Sequence, residues 1–293
     1  MIFSRAIASP RGRLRTLADL TRIGTIVAGA CLTLVGAHLA VGAVDVARVT
    51  WATACVALLI AFAQVVNDII DVEVDRLQQR SRPLVRGEVT TRFAAVMAVT
   101  LGGAGLLAAL VAGPPLSYVA IAILLASWAY SAWWKGTIGF GNVVVALLAS
   151  APVAFGAAAA GDVDGLAWAA QGVVFVFMAA FEVIKTGRDV EGDNAAGLMT
   201  LATRFGLHAT YRIAGALCLA FVAVSVVPAL MSDNWIAYVV VMAPAVVLTG
   251  FAAWKLLNSD GRSADLAPAL ALVRAAWFPG IAALVLLRRV EWS

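Results

Sequence analysis

Along most of the chain, apolar residues neither alternate with polar ones nor keep to one helical face. They fill long, almost uncharged runs separated by short polar segments. A helix needs roughly 20 apolar residues to cross about 30 Å of hydrocarbon. Runs of that order fall at 20–41, 49–68, 92–113, 115–134, 140–161, 166–187, 208–231, 235–257 and 268–288. The pattern predicts an all-α integral membrane protein with about nine transmembrane helices. Only Gly113-Pro114-Pro115 parts the third run from the fourth, and proline's missing N–H and fixed φ make that segment a break.

Composition agrees with the pattern: of 293 residues, 62% are hydrophobic and 13% charged, which is too apolar for a water-soluble globule. The basic residues add an orientation. Arg5, Arg11, Arg13, Arg15, Arg22, Arg76, Arg80, Arg82, Arg86, Arg92, Lys135, Lys185, Arg188, Arg204, Arg212, Lys255 and Arg262 fall on one side of a nine-helix arrangement. Arg48, Arg288 and Arg289 fall on the other. The positive-inside rule then puts the N-terminus and the charged loops in the cytoplasm. A multi-pass protein of the cell (plasma) membrane is expected, with its active site facing the cytoplasm. Arg288 and Arg289 run against the rule and are expected to snorkel to the far interface. Topology and anionic lipid account for the net charge of +4, so no nucleic-acid partner is expected. Cys31, Cys55 and Cys218 lie inside apolar runs without CxxC spacing and are expected to be small packing residues.

The chemistry concentrates in the polar breaks. Asn67 to Gly87, NDIIDVEVDRLQQRSRPLVRG, sets four acidic residues and four arginines at the end of the second run. If the helix carries through to Asp75, then Asp68, Asp71 and Asp75, at i, i+3 and i+7, share one face. Carboxylates so placed repel, and the stripe asks for a divalent metal, for arginines, or for both. Far downstream, DVEGD at Asp189–Asp193 echoes DVEVD at Asp71–Asp75, again after a long apolar run. Two acidic faces at one membrane depth can hold a polyanion between them through Mg²⁺. That ion takes one or two carboxylates and lets phosphate oxygens complete its shell.

The segment 77–90 contains Arg80, Arg82 and Arg86 with the turn-formers Pro83 and Gly87, and is expected to fold over the site. A single domain over 1–293 is expected, with cap loops at about 69–91, 131–139 and 186–207. Arg22, at the mouth of the first helix, is a candidate for greeting an anionic acceptor. Tyr130 can face a cavity and Lys135 can reach a phosphate. Asn142 opens the fifth helix, where a buried amide must find a polar partner. Glu182 and Lys185 stand one turn apart just before the second motif, and Arg204 lies in the segment after it. The chain has no Walker or GxGxxG phosphate loop, no HExxH and no GxSxG elbow. Carboxylates at helix ends rather than at the bilayer midplane weigh against a transporter. A transporter or lipid-binding protein stays as the non-enzymatic alternative.

As a set, NDxxDxxxD, the following RP and G, YSxxxK after the fourth run, GN opening the fifth, and DxxxD followed by GLMTLATRFG resemble the UbiA superfamily of intramembrane prenyltransferases. The similarity spans nearly the whole chain. EVIKTGRDVEGD is most similar to the ExxKDxxDVEGD of digeranylgeranylglyceryl-phosphate synthases. The resemblance implies helices around a lipid-open central cavity under cytoplasmic caps. It also implies Mg²⁺-dependent ionisation of an allylic prenyl diphosphate and transfer of the prenyl group to a small-molecule or lipid acceptor, releasing diphosphate. Asn67, Asp71, Asp75, Asp189 and Asp193 match the family's metal-diphosphate residues, with Asp68 alongside, and the carboxylates among them are the expected catalytic groups. Arg76, Arg82, Lys135 and Tyr130 match or adjoin diphosphate and cation-facing positions; Lys185 and Arg204 join the diphosphate set. A terpene cyclase on the same scaffold is the enzymatic alternative, and no obligatory protein partner is inferred. Where the ether-lipid enzymes typically carry N-x-P-x-R-P-x-P-S-G, this chain has Gln78, Arg80, Val85 and Arg86 in place of the Asn, the first and last Pro, and the Ser. Thr186 replaces the Asp after Lys185.

Overall fold

The structure, a computed structural model, describes residues 10–40, 44–78, 80–262 and 265–288. Arg5 and Arg289 lie outside the described residues. In chain order the helices are α1 (Pro10–Thr21), α2 (Ile23–Leu39), α3 (Val46–Ile70), α4 (Val72–Leu77), α5 (Thr91–Ala112) and α6 (Pro114–Ala129). After a single π-helical turn over Tyr130–Trp134 come α7 (Phe140–Ala160), α8 (Gly165–Arg188), α9 (Val190–Ala195), α10 (Leu201–Val224), α11 (Val226–Met231), α12 (Trp235–Leu257) and α13 (Leu266–Val285).

Among the described residues, eight helices are long and apolar enough to cross a membrane. The bent pair Gly12–Thr21 and Ile23–Leu39, at 55°, makes a ninth if it is one span. The 17 residues of α2 rise about 25 Å, short of a full hydrocarbon thickness, which is why the bend matters to the count. The third and fourth runs are separate helices, parted at Gly113 with φ 134°. One expected span starts earlier than its apolar run. Thr200 caps α10 with its side chain, so the helix opens at Leu201 and kinks at Gly206 (φ 80°, ψ 168°) before the apolar stretch begins.

Successive long helices run antiparallel, so α3, α6, α8 and α12 finish at the same end of the bundle. That end collects α4 and its loop, the π turn, α9 and the starts of α7 and α10. The packing that fixes it is built from three apolar clusters among the described residues. Leu32, Val35 and Leu39 of α2 pack with α8, α10, α12 and α13, α3, α5, α6 and α7 share the second, and Leu20 and Leu84 pack on α3 and α5 in the third. Between α2 and α7 the backbones touch. A Cβ on Gly36 would lie 1.8 Å from the Val153 carbonyl oxygen, and one on Gly156 would lie 1.9 Å from that of Thr33. Such small-residue crossings let membrane helices approach where lipid offers no hydrophobic drive. Large apolar residues such as Val99, Leu230 and Phe278 face outward, as a lipid-contacting surface requires. Cys55 and Cys218 are buried in the packing, whereas Cys31 is exposed.

At the opposite end Arg288 forms an ion pair with Asp164, both partly exposed; Asp164 also caps α8 by accepting a hydrogen bond from the Ala167 N–H at 2.9 Å. The carboxylate gives the guanidinium a charged partner at that end of the bundle. Nearby, Asn234 donates to the Leu286 carbonyl at 3.0 Å, closing the end of α13 onto the start of α12.

Candidate active site

Both acidic motifs fold in the same way. At Asp71 (φ −84°, ψ 0°) α3 stops and the six-residue α4 begins, and at Asp189 (φ −91°, ψ 4°) α8 gives way to the six-residue α9. The ladder is not lost at these joints. The Asp71 N–H donates to the Asn67 carbonyl at 2.9 Å and the Asp75 N–H to the Asp71 carbonyl at 2.7 Å. Asp189 and Asp193 repeat this at 3.0 and 2.9 Å. The helix expected to run unbroken to Asp75 is thus interrupted at Asp71. The break sends the three carboxylates to different cations instead of leaving them on one stripe.

Asp68, on the last turn of α3, takes Arg22 Nη2 at 2.6 Å. Arg22 has φ 51° and ψ 64° and forms the joint between α1 and α2. A side chain in this left-handed region costs on the order of 1 kcal/mol, and the pair with buried Asp68 holds it there. Asp71 Oδ2 accepts from Asn67 Nδ2 at 2.7 Å and from Lys135. The π turn delivers that lysine, since one wider turn at the end of α6 re-aims the residues after Tyr130. Asp75 lies 3.6 Å from Arg80 Nη1 and 3.8 Å from Arg82 Nε.

In the second motif, Asp189 takes Arg188 through Nε and Nη2 at 2.8 and 3.0 Å and Arg80 Nη2 at 2.9 Å. Among the described residues, the Asp193 carboxylate accepts only from Gln78 Nε2, at 3.3 Å. One turn back along α8, Lys185 Nζ donates to both Glu182 oxygens at 2.8 and 2.9 Å. Asn142 Nδ2 donates to Thr186 Oγ1 at 2.9 Å, and that hydroxyl donates to the Glu182 carbonyl at 3.0 Å, so Asn142 finds the polar partner its position demands. Tyr130 is half-buried and within electrostatic reach of Glu182, Asp71, Asp193 and Arg22.

The cluster therefore holds six carboxylates (Asp68, Asp71, Asp75, Glu182, Asp189, Asp193). Six cations (Arg22, Arg80, Arg82, Lys135, Lys185, Arg188) balance them. Burial and neighbours tune the members outside the spans unequally. Burial raises Asp75, with Asp71 adding to the rise and Arg80 opposing it. Asp193 is also raised, first by burial and then by the charge of Asp189. Burial pushes Asp189 up as well, but the Arg188 fork and the charge of Arg80 outweigh it and hold that carboxyl below the usual range.

Two expected site residues are not brought in. Arg76 points to the outside of α4 and pairs with exposed Glu73 at 2.7 Å. Arg204 lies exposed near the start of α10 and makes no ion pair among the described residues. Conversely, Arg80, Gln78, Glu182 and Arg188 sit in the cluster. The departures from the family loop pattern single out Arg80 and Gln78 in the sequence, and the i, i+3 spacing to Lys185 singles out Glu182.

Among the described residues, no three acidic, His or Cys groups converge closely enough to hold an ion by themselves. The cations stand between them. The donor set nevertheless fits a hard divalent ion, because every candidate is an oxygen. Among the described residues, Asp68 Oδ2 and Gln78 Oε1 are buried without a partner, so the cluster has acceptor capacity that the resident cations leave unused.

Residues 30–285 match the UbiA prenyltransferase family. The digeranylgeranylglyceryl phosphate synthase of Haloquadratum walsbyi is 34% identical over 279 residues, covering 92% of this chain and 94% of that protein. The enzyme of the same name from Halobacterium salinarum is 37% identical over 245 residues, 82% and 87% of the two chains. Among solved structures, one described as giving insights into digeranylgeranylglyceryl phosphate synthase in membranes superposes with a TM-score of 0.75 at 22% identity, covering 94% of this chain and 98% of that one. A UbiA homologue from Archaeoglobus fulgidus, bound to DMAPP and Mg²⁺, superposes at 0.70 with 19% identity, covering 92% and 99%. The likeness of fold, the matched length and the paired acidic motifs agree, and this chain belongs to the UbiA prenyltransferase family.

Proposed function

We propose that the chain is a Mg²⁺-dependent intramembrane prenyltransferase that ionises an allylic prenyl diphosphate and passes the prenyl group to a glycerophosphate-type acceptor. The observation that carries this reading is the pair of matching acidic motifs at one end of the bundle, balanced charge for charge by resident cations. Two Mg²⁺ and one diphosphate add nearly equal positive and negative charge, so such a cluster can take them up without a large net change. Asp71, Asp75, Asp189 and Asp193 are the oxygen ligands we assign, with Asn67 holding Asp71 in place. Bound Mg²⁺ would neutralise the leaving diphosphate and lower the barrier to breaking its C–O bond.

Lys135 and Arg82, released from the carboxylates, bind the outer diphosphate oxygens, which gain charge as the bond breaks and the electron pair leaves with them. Tyr130 and Asn142 line the route of the allylic cation and keep its path free of loosely held water. The acceptor hydroxyl then forms the new C–O bond and gives up its proton. Arg22 and Lys185, paired with Asp68 and Glu182 rather than with the four assigned ligands, are the cations we assign to an acceptor phosphate. A cyclase would need neither, and this favours transfer. Segments 69–91, 131–139 and 186–207 serve as the caps. The excess of Lys and Arg at the site end supports a cytoplasmic face in the plasma membrane; single cysteines at positions 80 and 162 labelled from the same side would refute that topology.

The test is incubation of the purified chain with geranyl, farnesyl and geranylgeranyl diphosphates. Each is run with Mg²⁺ or EDTA, and with or without a glycerophosphate ether acceptor. Release of diphosphate that needs both Mg²⁺ and acceptor is expected. Turnover unchanged by EDTA, or cyclic hydrocarbon from the diphosphate alone, would overturn the reading.

A further inference from the structure

Most cations of the cluster serve one carboxylate: Arg22 pairs with Asp68, Lys135 with Asp71, Arg82 with Asp75, Lys185 with Glu182 and Arg188 with Asp189. Arg80 is the exception among the described residues, because it holds both motifs at once. Its Nη2 lies 2.9 Å from Asp189 Oδ2 and its Nη1 3.6 Å from Asp75 Oδ1. Its backbone N–H is tied to the Asp75 carbonyl at 2.9 Å. Gln78, two residues earlier, makes a parallel crossing to Asp193. It fills the space beside Gly192, where a Cβ would come within 2.5 Å of it. The chain at 78–80 thus bridges α4 and α9 at the place where a polyanion held between the motifs has to sit.

A guanidinium and a divalent ion compete for the same carboxylate oxygens, yet a guanidinium also binds phosphate with the same planar fork. Resting on the prenyl-diphosphate reading above, we infer that Arg80 is an exchangeable cross-link between the two acidic motifs. In the metal-free enzyme it holds Asp75 and Asp189 together in place of a divalent ion. When metal and diphosphate load, it gives up those oxygens and turns onto the diphosphate. No charge is left unpaired in either state, which matters most for the deeply buried Asp75; Asp189 is half-buried. The family loop pattern has proline at this position, so the device belongs to this chain rather than to the shared metal site.

The inference predicts effects of opposite sign for metal alone and for diphosphate. Mn²⁺ binding to the full chain in detergent can be counted by EPR, and inorganic pyrophosphate binding at saturating Mn²⁺ by calorimetry. Arg80→Ala should bind Mn²⁺ alone about threefold to tenfold more tightly, because the competitor is gone. It should bind pyrophosphate about tenfold or more weakly, because a charge-assisted contact is lost. In Arg80→Lys a compact ammonium cannot span both carboxylates, so metal alone should again bind more tightly while pyrophosphate weakens less. Arg86→Ala should match the wild type, since Arg86 is tied to Glu88 and Asp19 outside the cluster. Arg80→Ala and Arg80→Lys that move both affinities in the same direction, or neither, would overturn the exchange. A wild type that binds Mn²⁺ and pyrophosphate not at all would overturn the functional reading and this inference with it.

Discussion

DVEVD and DVEGD differ at one position, and their backbones stop, turn and restart in the same way, yet their charges are settled differently. The first motif is served by its own neighbourhood: Asn67 and Lys135 hold Asp71, and the following loop returns Arg80 and Arg82 to Asp75. The second motif relies on the first for part of its support, because Arg80 reaches Asp189 and Gln78 reaches Asp193. In consequence Asp189 is held low while Asp193, with a single amide donor, is raised by burial. Two copies of one sequence pattern thus give one half-site whose carboxylates all face cations and one in which Asp193 is held by an amide. A site that must admit metal and diphosphate needs some unsatisfied acceptors; among the described residues these are Asp68 Oδ2 and Gln78 Oε1 beside the first motif, with the weakly held Asp193 in the second.

The widest test of the pairing removes the first carboxylate of each motif. Asp71→Ala and Asp189→Ala should each lower diphosphate release roughly 10³-fold with membrane insertion and expression near wild type, because the lost interaction is worth most in the transition state. If one variant kept more than a tenth of the activity, the two halves would not act as one site.

Much of this was legible from residues alone. Long apolar runs placed the helices, and the echo between 71–75 and 189–193 located the site, since both are local patterns. The break at Asp71 was not legible: the i, i+3, i+7 spacing of Asp68, Asp71 and Asp75 reads as a single stripe unless the tertiary partners of each carboxylate are known. Arg76 and Arg80 look equivalent in sequence, four residues apart beside the same acids. Only the turn after α4 sends one outward to Glu73 and the other across to Asp189. The pairing of Arg288 with Asp164 joins residues too far apart in sequence for any local rule to find.

The single difference between the motifs can be exchanged. Gly192→Val would recreate the first motif in the second, but its side chain would meet Gln78, already 2.5 Å from the position of a Cβ. Such overpacking costs about 1–3 kcal/mol and would part α9 from α4, so activity should drop about tenfold and the melting temperature should fall. The reverse change, Val74→Gly, meets no such neighbour requirement and should cost only the backbone entropy of a glycine, about 0.5–1 kcal/mol. Equal effects from the two changes, followed by activity and thermal melting, would show that Gln78 is not what demands glycine.

The smallest effect separates the two carboxylates of the second motif. Because folding raises Asp193, the metal-free fold favours its protonated form, and stability is lost as pH rises through the raised value. At neutral pH the charge on Asp193 therefore opposes the metal-free fold. Asp193→Asn keeps an acceptor for Gln78 and removes that charge, so the metal-free protein should melt about 1–2 °C higher at pH 7.5. The gain should close as pH falls below the ordinary carboxylate range. Folding lowers Asp189, so its contribution has the opposite sign: present at neutral pH and lost only as pH falls through the lowered value. Asp189→Asn should accordingly melt lower at pH 7.5, having weakened the Arg188 fork and the reach of Arg80. Mg²⁺ should reverse the first result, since a ligand that binds only the folded state stabilises it by mass action and Asp193→Asn has one ligand fewer. Melting curves with and without Mg²⁺ at several pH values decide it. If both variants shifted in the same direction without metal, the asymmetry between the half-sites would be wrong.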